Sequence, residues 1–294
     1  MIRSLFFAPA NRPDLLLKFP RFGADCNVID LEDGTQPVDK ISARGMLKET
    51  VNSLRLVEIR GLLTIRVNVP ESEHFIPDLD EALSTDIDGV VIPKLEHRSQ
   101  LIPAIERIHR RNRNNPSTRP LFILGGLESA RGLIESVNLC SADPLLKAIY
   151  FGAEDFATDL GARRTIRGDE VYFARSQVII SAKAAGIIAI DQAVTNLRDD
   201  AQFLDDAQRG RDLGYDGKIC VIPRQVMLSN ETFSPSVAEV KYARRLVDAC
   251  AHAEANGKGT ADFEGQIIEA PMLKRAEKIL MQAYKIAEQT ARNK

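Results

Sequence analysis

Short apolar stretches alternate along this chain with longer amphipathic ones. The short stretches are rich in β-branched or aromatic residues and have no polar alternation, which is typical of strands buried on both faces. The predicted strands are Ser4–Ala8, Cys26–Leu31, Leu62–Val67, Gly89–Ile92, Leu121–Leu124, Ala148–Phe151, Gly186–Ile190 and Ile219–Ile222. The predicted helices between them include Asp39–Leu54, Gln100–Arg110, Glu170–Ala185 and Asp199–Leu213.

This strand-then-helix rhythm predicts an α/β fold, the (β/α)8 TIM barrel, because eight such units follow one another about 30 residues apart. The competing architecture is an open doubly wound sheet, which would carry a GxGxxG turn after its first strand. The chain has Ala8-Pro9-Ala10-Asn11-Arg12-Pro13 at that point. We therefore expect the barrel to be closed.

The composition changes after the eighth apolar stretch. A loop over 230–235, a helix over 236–255, a glycine-rich loop over 256–265 and a last helix from about Met272 are predicted there. We expect a barrel domain over 1–230 and a C-terminal helical arm over 231–294. An arm of this kind caps its barrel, docks on a neighbour or serves as a lid.

Composition and charge narrow the functional classes. A chain of 294 residues with 44% hydrophobic residues can bury a sizeable core, and its net charge of −2 gives no general attraction to nucleic acid or anionic membranes. No stretch approaches the roughly 20 apolar residues of a membrane span. The four cysteines are scattered without CxxC spacing, which argues against zinc and indicates a reducing compartment, the cytoplasm.

Charged or metal-binding residue types follow nearly every predicted strand. The active site of such a barrel lies at the C-terminal ends of its strands. Residues at these ends are Arg12, Glu32, Asp33, Arg66, Asn68, Lys94, Glu128, Glu154, Asp155, Asp191 and Arg224. The mixture of both signs of charge predicts a catalytic pocket.

Glu128 and Asp155 follow adjacent strands, so their carboxylates are expected within reach of one ion. Oxygen ligands without nearby histidine or thiolate favour Mg²⁺ or Mn²⁺ over zinc, with substrate oxygens completing the shell. A bidentate 2-keto or 2-hydroxy acid would suit this purpose. The alternative is a structural network in which the two acids pair with Arg66 and Lys94.

Arg66 is suited to bidentate recognition of a substrate carboxylate; alternatively it pairs with Glu32 or Asp33. Because adjacent strand residues point in opposite directions, at most one of Glu32 and Asp33 faces the ligand directly. Arg12 lies in a loop stiffened by flanking prolines, where it either holds a phosphate of a carrier such as coenzyme A or forms a surface ion pair.

Six short motifs, in this order and spacing, resemble the citrate lyase beta subunit family of the aldolase/citrate lyase superfamily, near the malyl-CoA lyases. They are Arg3-Ser-Leu-Phe-Phe-Ala-Pro-Ala-Asn-Arg12, Val28-Ile-Asp-Leu-Glu-Asp33, Arg66-Val-Asn68, Val91-Ile-Pro-Lys94, Glu128-Ser-Ala-Arg-Gly132 and Phe151-Gly-Ala-Glu-Asp-Phe156. The similarity extends over almost the whole chain.

The resemblance implies an Mg²⁺-dependent lyase that cleaves or forms a carbon–carbon bond between an acyl thioester and a 2-keto acid. It implies Glu128 and Asp155 as metal ligands and Arg66 as the carboxylate-binding residue, and we add Asp33, Lys94 and Arg12 as substrate-binding candidates. It also implies a homo-oligomer, a trimer or hexamer, whose arm reaches toward a neighbouring active site.

Cleavage of a citryl-, malyl- or citramalyl-type thioester also needs a general base, for which Glu32 is the candidate. Two departures from the family pattern bear on activity: the Ile-His-Pro segment after the eighth strand is replaced by Val221-Ile222-Pro223, and the lid aspartate by Glu269. Glu269 remains a catalytic candidate. The alternatives are a thioester hydrolase, a 2-keto acid- and coenzyme A-binding homologue with weakened catalysis, and an aldolase for free 2-keto acids.

Overall fold

Eight parallel strands close into a barrel, following one another in chain order, and the last pairs with the first. They are Ser4–Pro9 (β1), Cys26–Asp30 (β2), Leu62–Arg66 (β3), Gly89–Ile92 (β4), Phe122–Leu127 (β5), Leu146–Phe151 (β6), Ile188–Asp191 (β7) and Gly217–Cys220 (β8). This computed structural model describes residues 1–114, 119–255 and 262–292. The predicted TIM barrel is confirmed, and closure of β8 on β1 excludes the open sheet.

Helices follow the strands around the barrel. They are Pro13–Leu16 (α1), Lys40–Gly45 (α2), Leu47–Leu56 (α3), Phe75–Ser84 (α4), Ile102–Asn114 (α5), Ala130–Ile134 (α6), Ser136–Cys140 (α7), Ala153–Asp159 (α8), Asp169–Ala184 (α9), Asp200–Leu213 (α10) and Pro223–Thr232 (α11). Short 3₁₀ turns cover Phe19–Arg21, Pro37–Asp39 and Arg98–Leu101. The single helix predicted over Asp39–Leu54 is wrong: α2 ends at Gly45, a residue of low helix propensity, and α3 begins after it.

Alternate residues of the strands form the barrel core. Leu5, Val28, Val91, Leu124 and Ile190 belong to one buried cluster. Because side chains alternate along a strand, the row that contains Val28 continues to Asp30 at the end of β2. The geometry of the strands therefore brings polar side chains to the C-terminal mouth of an otherwise apolar core.

The chain divides into two compact units, Met1–Glu231 and Thr232–Lys294. In the second unit, Val237–Ala255 (α12) packs against Ala270–Arg292 (α13) around buried Ala243, Leu246 and Ala276.

The glycine-rich segment between these helices differs from its prediction. Residues 256–261 lie outside the described part of the chain, and Asp262–Phe263 (β9) pairs with Gln266–Ile267 (β10) as an antiparallel hairpin instead of a loop. Glu264 and Gly265 both have positive φ, which suits a tight hairpin turn. Among the helices that the structure describes, none combines the length and apolar character needed to cross a membrane.

Candidate active site

The ends of β2 and β3 carry a buried ion pair at the barrel mouth. Asp30 and Arg66 stand opposite each other in the strand register. Arg66 donates from Nε to Asp30 Oδ1 at 2.7 Å and from Nη2 to Oδ2 at 2.6 Å. Its third nitrogen, Nη1, lies 3.0 Å from Glu32 Oε2. Arg66 therefore pairs with Glu32, as the alternative interpretation of the sequence expected. Its main partner is Asp30, which was not among the predicted site residues.

Lys94 connects the remaining carboxylates of the mouth. Its Nζ lies 2.8 Å from Glu32 Oε1, 3.3 Å from Asp33 Oδ2 and 3.4 Å from Asp155 Oδ1. Its backbone has φ of 50°, a left-handed conformation that costs energy outside glycine. In this conformation its backbone N–H also donates to Glu128 Oε1 at 2.9 Å, so one residue contacts four acids.

Glu128 is fixed by two donors to the same oxygen. Besides the Lys94 N–H, the Tyr150 hydroxyl donates to Oε1 at 2.6 Å. A Cβ on Gly126 would come within 2.4 Å of this oxygen, and one on Gly152 within 2.5 Å of Oε2, so only glycine leaves room for the carboxylate. Both hydrogen bonds thus go to Oε1, and Oε2 accepts none from any residue in the described ranges.

The carboxyl groups of the mouth differ in their affinity for protons. Burial raises the pKa of Glu128 to about 7, outweighing the influence of Arg66 and the Tyr150 hydrogen bond. Burial likewise raises the pKa of Glu32 against the charges of Arg66 and Lys94. Burial also disfavours the charged form of Asp33, but hydrogen bonding to Glu32 and the charge of Lys94 prevail and lower its pKa. Asp33 is the more exposed acid and lines the cavity, whereas Glu32 is buried beside the two cations.

The carboxylate oxygens of Glu128 and Asp155 are of the type that a magnesium ion binds. Both line one cavity, and the charge of Asp155 contributes to the raised pKa of Glu128. Within the described residues, no three His, Cys, Asp or Glu side chains are grouped as a complete metal cage. Two carboxylates that leave the other positions to water and substrate are the usual protein contribution to an Mg²⁺ site.

The mouth holds an excess of negative charge. Five carboxylates, those of Asp30, Glu32, Asp33, Glu128 and Asp155, surround the two cations Arg66 and Lys94. When all are ionised, three negative charges remain unbalanced, and a divalent cation would offset two of them. The donor set, the free Oε2 of Glu128 and the charge balance therefore all suit Mg²⁺.

A cavity of about 350 Å³ opens at this end of the barrel. Its charged side is formed by Asp30, Asp33, Arg66, Glu128, Glu154 and Asp155. Residues of β1 and those at and just beyond the ends of β7 and β8 form an apolar side. The cavity thus brings together four of the eight predicted site residues, Asp33, Arg66, Glu128 and Asp155.

Other strand-end residues lie elsewhere. Arg12 is exposed and pairs with Asp14 at 2.8 Å, the surface alternative. Asp191 turns toward the helices, where it pairs with Arg175, and Arg224 pairs with Asp200 at the surface. The predicted place of Asp191 and Arg224 in the pocket is wrong, because a residue at the end of a strand faces the helix layer as readily as the mouth. Glu269 belongs to the second unit, immediately before α13.

Two residues of the site gave only a weak sequence signal. Asp30 is embedded in the apolar stretch of β2 and Tyr150 in that of β6, so neither stands out as a strand-end polar residue. Counting in twos from the buried residues would have found both, since Asp30 follows Val28 and Tyr150 follows Ala148 on the inward face.

Known proteins resemble this chain over most of its length. The family described as HpcH/HpaI aldolase/citrate lyase matches residues 3–223. A citrate lyase subunit beta-like protein of Deinococcus radiodurans is 41% identical and covers 95% of this chain and 96% of its own. The L-malyl-CoA/beta-methylmalyl-CoA lyase of Cereibacter sphaeroides is 30% identical over 97% of this chain and 95% of its own.

A solved structure gives the same result. The CitE protein of Mycobacterium tuberculosis, in complex with magnesium, acetoacetate and coenzyme A, has a TM-score of 0.74 and 27% identity, covering 95% of this chain and 97% of that chain. The resemblance drawn from the motifs is thereby confirmed. The chain belongs to the HpcH/HpaI aldolase/citrate lyase family.

Proposed function

We propose that the protein is a Mg²⁺-dependent carbon–carbon lyase that cleaves a citryl-, malyl- or citramalyl-type thioester of coenzyme A to an acyl thioester and a 2-keto acid. The observation that carries the proposal is the buried carboxylate of Glu128, whose Oε2 is free, in one cavity with Asp155 and the Arg66 guanidinium. Relatives named as lyases support the reaction type. The related structure with magnesium, acetoacetate and coenzyme A supports the ligands.

Glu128 and Asp155 would hold the metal. Bound there, Mg²⁺ supplies Lewis-acid polarisation of a substrate oxygen and offsets charge at the mouth; Mn²⁺ would suit the same oxygen ligands. Tyr150 and the Lys94 backbone hold Glu128 Oε1, so that Oε2 is the oxygen offered to the ion.

Arg66 would orient the substrate carboxylate. Its hydrogen bonds to Asp30 use two of the five guanidinium N–H donors, and Glu32 faces a third nitrogen. The remaining donors can bind a carboxylate in a fixed direction, because Asp30 prevents the guanidinium from rotating. Asp33 and Lys94, in contact at the same mouth, would complete the substrate-binding side.

Glu32 is the proposed general base. It would take the proton of the substrate hydroxyl while the adjacent carbon–carbon bond breaks and its electron pair passes into the thioester as an enolate. A proton must then return to the enolate carbon. We assign the role of this acid to Glu269 of the C-terminal arm, acting in a neighbouring subunit of a homotrimer or hexamer. We assign binding of a phosphate group of the carrier to Arg12.

The proposed location is the cytoplasm. Cys26, Cys140, Cys220 and Cys250 are all free thiols, which suits a reducing compartment.

Purified protein incubated with Mg²⁺ and citryl-, malyl- or citramalyl-CoA tests the lyase proposal. We expect release of a 2-keto acid from at least one thioester, abolished by a chelator and reduced at least about 100-fold in Glu128→Gln. Glu154→Gln is the matched control, because Glu154 pairs with Arg164 at the cavity rim. Binding of keto acid and metal without turnover would indicate the homologue with weakened catalysis. Release of free coenzyme A with the acyl group intact would indicate a hydrolase. Turnover of free acids but not of thioesters would indicate an aldolase.

A separate assay tests Glu269. If it is the acid, Glu269→Gln slows the overall reaction but still binds Mg²⁺ and keto acid. Full turnover by this variant would remove Glu269 from the mechanism.

A further inference from the structure

The cavity at the barrel mouth has two chemically different walls. One wall carries the acids and Arg66 described above. The other is apolar and consists of Phe7, Ala8, Pro9, Ala193, Ile219 and Val221. This wall is built by β1 and by residues that end or follow β7 and β8, and none of its six residues carries a carboxylate.

The cavity contains little positive charge. Among the described residues that line it, Arg66 is the one cation. Lys94 lies beside it but is already surrounded by Glu32, Asp33 and Asp155. With Mg²⁺ bound and all seven side chains ionised, the five carboxylates still exceed the charge of Arg66, Lys94 and the ion by one.

These charges limit the number of carboxylates that a ligand can bring. One carboxylate can bind the metal and the free N–H groups of Arg66. A second would have to face either the remaining acids or the apolar wall. In the first case it is repelled, and in the second it loses its hydration without gaining a partner.

An alkyl group has the opposite preference. Ile219 and Val221 offer it dispersion contacts, and the small side chain of Ala193 leaves it room. A methyl group on the carbon that becomes the keto carbon would therefore remove apolar surface from water when the substrate binds.

We infer that the preferred substrate is a 3-hydroxyacyl thioester with a single free carboxylate and an alkyl substituent on the hydroxyl-bearing carbon. Its keto product is then an alkyl 2-keto monocarboxylate, of which pyruvate is the simplest, rather than the dicarboxylate oxaloacetate. This inference rests on the proposed lyase function and selects among its substrates.

Competition among three thioesters tests the inference on the unaltered protein. With Mg²⁺ present, we expect kcat/KM for citramalyl-CoA to exceed that for citryl-CoA, which brings a second carboxylate, by at least about 10-fold. We also expect it to exceed kcat/KM for malyl-CoA, which lacks the methyl group. Calorimetry with Mg²⁺ should show pyruvate binding more tightly than oxaloacetate or glyoxylate.

The outcomes separate this inference from the proposed function. Equal or faster cleavage of citryl-CoA would overturn the preference for a single carboxylate but leave the proposed lyase function intact. Faster cleavage of malyl-CoA would overturn the preference for an alkyl substituent. Cleavage of none of the three would reject the lyase itself.

A pair of substitutions tests whether the apolar wall makes the choice. Val221→Arg introduces a cation at the wall, and Val221→Met is the matched control with similar length and no charge. We expect Val221→Arg to shift the citryl-to-citramalyl ratio of kcat/KM at least about 10-fold toward citryl, and Val221→Met to shift it less than about threefold. Equal shifts in the two variants would place the discrimination elsewhere and overturn the role of this wall.

Discussion

The hydrogen bond between Tyr150 and Glu128 shows how single residues prepare this site. The phenol is buried, and burial raises its pKa well above the ordinary value, so that it remains a donor. Its proton and the Lys94 N–H both go to Oε1, which leaves Oε2 unpaired within the described residues. The carboxylate is thus oriented before any ligand arrives.

Tyr150→Phe should weaken metal binding. The substitution removes the hydroxyl that donates a hydrogen bond to the buried Glu128 carboxylate. Loss of a residue that hydrogen-bonds a metal ligand typically lowers metal affinity about 10- to 100-fold. Titration with Mn²⁺ followed by electron paramagnetic resonance, without substrate, measures the change. Tyr215→Phe is the control: this tyrosine is also buried and donates to the Arg175 carbonyl at 2.7 Å. Unchanged Mn²⁺ affinity in Tyr150→Phe would show that Glu128 needs no such support.

Glu170 illustrates a residue that stabilises the fold. Burial opposes its charge, but hydrogen bonds from the Thr165 side chain and backbone and the ion pair with Arg164 prevail and lower its pKa to about 2. A carboxyl group with a pKa lower in the folded than in the unfolded chain stabilises the fold above its unfolded pKa, and this contribution is lost as the pH falls toward the folded pKa.

Glu170→Gln should therefore lower the free energy of unfolding by about 1 kcal/mol at neutral pH, a value reduced for solvent screening. The difference from the unaltered protein should shrink as the pH falls from about 4.5 toward 2. Urea unfolding at several pH values measures it. Asp169→Asn is the control, because this neighbour pairs with Arg167 in an exposed ion pair. A difference that stays constant with pH would contradict the prediction.

Two strands and two helices meet at a second group of charges. On the helix side of β7 and β8, fully buried Lys218 lies 3.1 Å from Asp191 and also pairs with Asp206 of α10. Arg175 of α9 contacts both aspartates. These four charges compensate one another on the helix side of the barrel, away from the mouth. Their ion pairs therefore connect α9 and α10 to β7 and β8.

Removing one member should leave the others uncompensated. We expect Lys218→Met to lower the free energy of unfolding by about 3–5 kcal/mol. Lys183→Met is the matched control: Lys183 pairs with Asp216, but its side chain is 37% exposed, and a loss of at most about 1 kcal/mol is expected. Denaturant midpoints of the two variants provide the test, and equal losses would disprove the dependence on burial.

Elements with a strong pattern were predictable, and short ones were not. The eight strands followed from their apolar stretches, since a strand buried on both faces is apolar throughout. The hairpin of β9 and β10 has two residues in each strand, too few for any period to be visible. The break between α2 and α3 falls inside one continuous amphipathic pattern.

The site was predictable in its acids and less so in its pairings. Glu128, Asp155, Arg66 and Lys94 follow strands and meet at the mouth as expected. The Asp30–Arg66 pair depends on the register between β2 and β3, which the sequence pattern does not reveal. Arg12 pairs with a residue two positions away, a local contact that the strand-end rule does not address.

Closure of the barrel is a property of the whole barrel unit and depends on close contact between its first and last strands. Lys218 N–H donates to the Arg3 carbonyl at 3.0 Å, and the Ser229 hydroxyl donates to the same oxygen at 2.7 Å. Gly217 begins β8 directly against this segment: a Cβ there would lie 2.1 Å from the Ile2 carbonyl oxygen and 2.6 Å from that of Arg3. Both neighbours are backbone atoms, which cannot move aside as a side chain can.

Gly217→Ala should therefore open the seam between β8 and β1 and lower the free energy of unfolding by at least about 3 kcal/mol. Gly45→Ala is the control, because a Cβ at this helical position meets nothing within 4 Å and should stabilise α2 by about 0.5–1 kcal/mol. Thermal and urea unfolding of both variants measure the effect. Because the strands pair in a closed ring, the loss should appear as an earlier transition of the whole barrel unit rather than as local fraying. An unchanged midpoint in Gly217→Ala would contradict the prediction, because it would mean that the β8–β1 seam accommodates a Cβ without loss of stability.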